Sequence, residues 1–215
     1  MAKALLYTVS FGAVVVLALF LYPQAAETPS HPSNLTPEVP LKVRTEEAFV
    51  RVQHLSDPPR MRALLIGDSN IFGPLGKFLE RSLGALGYDV ERRGKPTSGL
   101  ARPDFFNWPE QAQVLLDAHD PHLVIAMFGG NDGQRMELQS ASGKAIKMPA
   151  GEAWEWAYQE RIREFALLLR GTSRRVFILS PTNRRPRFAR EKMIRVRHAQ
   201  RRALEGLERV TWVDM

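Results

Sequence analysis

Four continuous apolar runs of strand length constrain this chain more than any other feature: Ala63–Ile66, His122–Phe128, Arg175–Leu179 and Val210–Val213. Runs this short and this apolar describe strands buried on both faces. A fifth, less apolar segment, Tyr88–Arg92, fits the same series. Segments with helical spacing lie between them. Pro74–Leu86 offers Leu75, Phe78, Leu79, Leu83 and Leu86, and Glu110–Ala118 is helical. Glu152–Arg170 offers Trp156, Ile162, Phe165, Ala166 and Leu169 as an inner face, and Phe188–Leu207 is a further, basic helix. Strands alternating with helices imply a parallel sheet, because parallel neighbours need crossover connections. The expected fold is therefore α/β, a five-stranded parallel sheet between helices on both faces. Right-handed crossovers then gather the loops after the strands on one edge. Between Gln134 and Gly151 no period is clear, which suggests an excursion or a small ribbon near that edge.

The N-terminal part reads differently. Ala4–Tyr22 carries no charge over a length that spans a bilayer as a helix, and Lys3 precedes it. The run is long for a signal peptide, and Gln24, Ala25 and Ala26 form a poor cleavage site, so an uncleaved transmembrane anchor is favoured. That places the chain in the cell inner membrane as a single-pass protein with its domain periplasmic or otherwise extracytoplasmic, or secreted if the segment is cleaved. Residues 23–44 contain Pro23, Pro29, Pro32, Pro37 and Pro40 among Ser, Thr and Asn, the composition of an extended linker. From Thr45 a short capped helix with Ala48, Phe49, Val52 and Leu55 leads to Asp57, Pro58 and Pro59. The expected division is thus 1–22 anchor or signal, 23–44 linker and 45–215 the α/β domain.

Charge is concentrated in one place. Arg184–Arg202 holds nine basic residues and one acid, while the rest has 21 basic against 22 acidic. The pI of 10.0 therefore reports one segment, and nucleic-acid binding is not expected from it. That segment is a solvated helix face or a contact for anionic lipid headgroups or an anionic glycan. The chain has no cysteine, which excludes disulfides and thiolate metal sites without naming a compartment.

Three turns carry the chemistry. The first strand breaks at Gly67 into Asp68, Ser69 and Asn70, the second is followed by Ser98–Leu100, and the third by Gly129–Asp132. The tetrapeptide alone is ambiguous, since Asp68 and Ser69 could merely cap the next helix. At the carboxyl edge of a sheet, beside a helix N-terminus, the three turns should converge. A serine attacking an acyl carbon needs a base and donors aimed at the oxyanion. The N–H groups of Ser69 and Gly99 and the side-chain amide of Asn131 are suitable donors. Asp68 and Asp132 could be read as a carboxylate pair or a metal site, but Asp beside the serine is better used on turn N–H groups, and no cofactor or metal is expected.

GDSN at Gly67–Asn70, Gly99 after the second strand, and GGND at Gly129–Asp132 resemble the first three sequence blocks of the SGNH, or GDSL-type, serine hydrolases. The loop SGLARPDFFNWP and the extension GGNDGQ further resemble a bacterial branch catalogued as a domain of unknown function. The resemblance implies a flavodoxin-like three-layer sandwich, with Ser69 as nucleophile and oxyanion donor, Gly99 as second donor and Asn131 as third. Asn70 stands where Leu is commoner. The family also holds a catalytic histidine in an Asp-x-x-His block beyond the fifth strand, and this chain shows none. Asp214 closes the fifth strand on the appropriate edge without it. Either a prematurely ended or split reading frame of an active enzyme is expected, or a chain whose base is lost or supplied by another protein.

The function implied is a membrane-tethered serine esterase acting on O-acyl esters, O-acetyl groups of an envelope polysaccharide among them, and impaired without its histidine. An O-acetyltransferase of the same fold and a non-catalytic carbohydrate-binding or scaffold protein are the alternatives. Phe105, Phe106 and Trp108, or Trp154, Trp156 and Tyr158, could stack on sugar rings, though aromatics so placed are more often core.

Overall fold

The computed structural model describes residues 60–139, 145–148, 151–182 and 187–215. The anchor, the linker and the Thr45 helix lie outside the described residues, as do Asn183 to Pro186. In order, the elements are β1 (Arg62–Gly67), α1 (Ser69–Phe72), α2 (Pro74–Ala85), β2 (Asp89–Gly94), α3 (Trp108–His119) and β3 (Leu123–Met127). There follow β4 (Met136–Gln139), β5 (Ala145–Met148), α4 (Glu152–Thr172), β6 (Arg175–Leu179), α5 (Arg187–Leu204) and β7 (Val210–Val213). The expected ribbon is present as the antiparallel pair β4–β5.

The main sheet has five strands in the order β2-β1-β3-β6-β7, every pair parallel. Its centre is apolar because β1 and β3 are flanked on both sides, and both are buried almost throughout. At the β2 edge the sequence DVERRG is half-buried, as an edge strand tolerates. Register aligns the strand ends that carry the three turns: Gly67 pairs with both Gly94 and Met127, so the first three strands end level and release their loops side by side.

Leu64, Ile66, Val124, Ala126, Val176 and Ile178 form one core with residues of α3, α4 and α5. Alternate residues such as Leu65 and Ile125 point the other way, as the pleat requires. Helix α2 packs at the β1–β2 end, and its buried Leu79 and Leu83 lie outside that core.

Two helix faces differ from the expectation. On α4, Trp156 is 67 % exposed, whereas Trp154 is 1 % exposed and Tyr158 is fully buried. The inner stripe runs Trp154, Tyr158, Ile162, Phe165, Ala166 and Leu169. Trp156 falls two residues out of that stripe, on the far side of a 3.6-residue turn. On α2, Phe78 and Leu86 are exposed and Gly76 joins the stripe instead. A Cβ at Gly76 would stand 1.7 Å from the Ile71 carbonyl oxygen, so α1 can lie against α2 only there. Boundaries also shift: α3 begins at Trp108 because Asn107 caps it, and α5 ends at Leu204.

Candidate active site

The first turn is held from below. The Asp68 N–H donates to the Met127 carbonyl at 3.1 Å, which pins the turn across β3. A Cβ at Gly67 would come within 2.3 Å of that same carbonyl oxygen, so this crossing needs glycine. Asp68 is fully buried and its Oδ1 accepts from both the backbone and the side chain of Asn70, each at 2.8 Å. That is the turn-capping use the sequence suggested for it. Ser69 follows, exposed, as the first residue of α1. With four residues α1 has little dipole of its own, so the donors near Ser69 are local N–H groups rather than a long helix.

The second loop leaves β2 through Lys95, whose N–H donates to Gly67 O at 2.9 Å. Ser98 Oγ donates to Lys95 O and accepts from Trp108 Nε1 at 2.8 Å, so the buried Trp108 braces this loop. The third loop then locks onto it. Asn131 Nδ2 donates to Ser98 O at 2.8 Å, and Ala101 N–H donates to Asp132 Oδ1 at 2.9 Å. A Cβ on Gly99 would lie 2.0 Å from Asp132 Oδ1. The loops after β2 and β3 are thus tied at two points flanking Gly99, and the loop after β1 is tied to β3. Ser69, Gly99 and Asn131 accordingly sit on one edge in three adjacent loops. Asn131 still carries a second amide N–H beyond the one given to Ser98.

Asp132 is wholly buried. Burial pushes its carboxyl up to about 6, against the donors from Ala101, Tyr158 and Leu100 that favour the ionised form, while Asp68 nearby adds to the rise. Tyr158 Oη donates to Oδ2 at 2.8 Å, and its own hydroxyl is pushed well above the usual phenol range, chiefly by burial. Arg161 reaches the carbonyls of Leu100 and Ala101 at 3.1 and 3.3 Å. Sequence reasoning left Arg161 and Gln200 unread and read Tyr158 only as a sugar-stacking or core aromatic. One signal existed: Gln200 interrupts the apolar stripe Val196, Ala199 and Ala203 of α5.

The histidines among the described residues fall elsewhere, and His31 and His54 lie outside them. His119 Nε2 meets Ala63 O and His122 Nδ1 accepts from Arg62 N–H, both at the opposite end of β1 from Ser69. His198 is on the exposed side of α5. None of these three histidines hydrogen-bonds the Ser69 hydroxyl. Asp214 follows β7 and is taken up by an ion pair with Arg197 and a 3.2 Å bond from Ser180 Oγ. Of the aromatics, Trp108, Trp154 and Tyr158 are core, whereas Phe105 and Trp156 are exposed.

A family model described as "Protein of unknown function (DUF459)" matches residues 62–215. Among curated proteins nothing matches. Solved structures include LAE5, an alpha/beta hydrolase enzyme from the metagenome of Lake Arreo, Spain, at 15% identity over 67% of this chain and 72% of that one, TM-score 0.48. A mutant of Axe2, an acetyl-xylooligosaccharide esterase from Geobacillus stearothermophilus, matches at 18% identity over 72% and 75%, TM-score 0.49. A catalytic mutant of the same acetylxylan esterase matches at 16% identity over 72% and 75%, TM-score 0.49. Likeness at this level assigns neither a substrate nor residue roles to the chain.

Proposed function

The chain belongs to the DUF459 family, and we propose that it is a serine esterase that cleaves O-acyl esters through an acyl-Ser69 intermediate. The observation that carries this reading is that three neighbouring strand-end loops share one sheet edge, one bearing an exposed serine and the other two tied by Asn131 to Ser98 and Ala101 to Asp132 on either side of Gly99. In the step itself, Ser69 Oγ attacks the acyl carbon as its proton passes to a base. The N–H groups of Ser69 and Gly99 and the Asn131 amide share the charge that develops on the carbonyl oxygen. The alcohol leaves with a proton, and water then releases the acid from Ser69.

Nothing among the described residues is bonded to Ser69 as a base, and lacking one typically costs several orders of magnitude in rate. The purified 215-residue chain should therefore hydrolyse p-nitrophenyl acetate hardly faster than Ser69→Ala. Imidazole in solution should raise the wild-type rate above that of the variant treated in the same way. Vigorous Ser69-dependent turnover without imidazole would show that the base lies within the chain. No difference even with imidazole would favour the non-catalytic reading, in which the exposed Phe105 and Trp156 bind carbohydrate.

Location extends the proposal. The uncharged run Ala4–Tyr22 behind Lys3 supports an inner-membrane anchor with the domain outside the cytoplasm, and hence O-acetyl esters of an envelope polysaccharide as substrate. The exposed Arg190, Arg201 and Arg202 of α5 support contact with an anionic surface.

A further inference from the structure

Behind the Ser69 edge runs a line of buried polar groups that the reaction as written does not use. Trp212 Nε1 donates to Gln200 Oε1 at 3.5 Å, and Gln200 Nε2 donates to Tyr158 Oη at 3.3 Å and to Phe128 O at 3.0 Å. Tyr158 Oη donates in turn to Asp132 Oδ2 at 2.8 Å. Asp132 Oδ1 then receives the Ala101 N–H at 2.9 Å. Gln200, Tyr158 and Asp132 are fully buried. Apart from the Gln200 bond to Phe128 O, the donors from Trp212 through Gln200 and Tyr158 run toward the carboxylate, so each bond polarises the next and favours the ionised form. At the far end the carboxylate occupies the space a side chain on Gly99 would take.

We propose that Tyr158 and Gln200 are positioning residues for the Gly99 donor, acting through Asp132 to hold the 99–101 loop against the GGND turn. The inference rests on the Ser69 reading above. Neither residue touches a reacting atom. Were Tyr158 present only as a core ring, stacked on Trp154 with centroids 5.0 Å apart, phenylalanine would replace it without effect.

The groups facing Asp132 set the direction of the test. Asp68 stands on the β1 side, and Tyr158 and Arg161 come from α4. From α5 the Lys192 stem lies against the neighbouring Gly133. Removing the Tyr158 hydroxyl deletes a donor that lowers the Asp132 value, so its titration should move upward.

The experiment follows the Gly99 and Ala101 amide resonances of the ¹⁵N-labelled full chain by NMR between pH 4.5 and 8. Both should shift together with a midpoint of about 6. Tyr158→Phe should raise that midpoint, Gln200→Met should raise it less, and Asp132→Asn should abolish it. With imidazole-supported turnover, Tyr158→Phe should lower kcat and leave KM unchanged. An Ala101 amide that does not titrate in the wild type, or an unchanged midpoint in Tyr158→Phe, overturns the proposal. Absence of Ser69-dependent turnover with imidazole defeats the esterase reading by itself, while the amide titration still reports whether the coupling to Asp132 exists.

Discussion

Gly99 and Asp132 are complementary: one has no side chain because the other's carboxylate fills its place. Gly99→Ala should consequently lose about 1–3 kcal/mol in a denaturant melt, as overpacked interiors do. The same variant should lower imidazole-supported turnover, since its N–H moves with the loop. Asn131→Ala should lower that turnover roughly 10²–10³-fold, the usual loss for one oxyanion donor. Asp132 also predicts a pH effect of definite sign. Burial holds its carboxyl at about 6, above the ordinary aspartate value of 3.8, so the native state holds the proton more tightly than the unfolded chain. Its contribution is fully favourable below pH about 4 and is lost as pH rises toward and through about 6. The stability of the wild type relative to Asp132→Asn should therefore fall across that window, and paired urea melts at pH 4.5 and 7 measure it. At this scale the turns that hold Ser69, Gly99 and Asn131 were legible, because each short motif follows a strand. Tyr158 was legible only as an aromatic and Gln200 not at all, because a polar partner 26 residues from Asp132, and another 42 further on, leave no local pattern.

Among the elements, α4 shows how a small phase difference changes roles. Trp154 and Trp156 are two residues apart, yet one is sealed in the core and the other faces solvent. Trp154→Ala should cost about 3–5 kcal/mol, whereas Trp156→Ala should stay within about 0.5 kcal/mol of wild type in the same melt. Composition could not separate them, since both belong to the helix's aromatic N-terminal turns. The register was decided by Ile162, Phe165, Ala166 and Leu169 further along, which set the buried stripe that Trp154 and Tyr158 continue. On α5 the apolar stripe of Met193, Val196, Ala199, Ala203 and Leu204 is buried, and Arg190, Arg201 and Arg202 stay exposed. Changing those three arginines to glutamine should weaken binding to phosphatidylglycerol vesicles at 0.1 M salt. Wild-type binding that survives 0.5 M salt unchanged would count against an electrostatic contact.

For the whole molecule, the parallel sheet ties chemistry to architecture. Three loops from strands β2, β1 and β3 meet because those strands are neighbours ending in register, although the loops lie far apart in sequence. The proposed anchor belongs to this scale too: the full chain should remain in the membrane pellet after alkaline carbonate washing, and release into the supernatant would remove the case for it. The sequence by itself determined the α/β class, the parallel strands and the three strand-end turns, because strand burial and crossover connection follow from local hydrophobic pattern. Only the tertiary structure decided which helix faces are buried, that Asn131 and Asp132 clasp the Ser98–Ala101 loop, and that Tyr158 and Gln200 stand behind them. Those outcomes depend on packing and hydrogen bonds between distant segments, where geometry in three dimensions selects among partners that local spacing leaves equivalent.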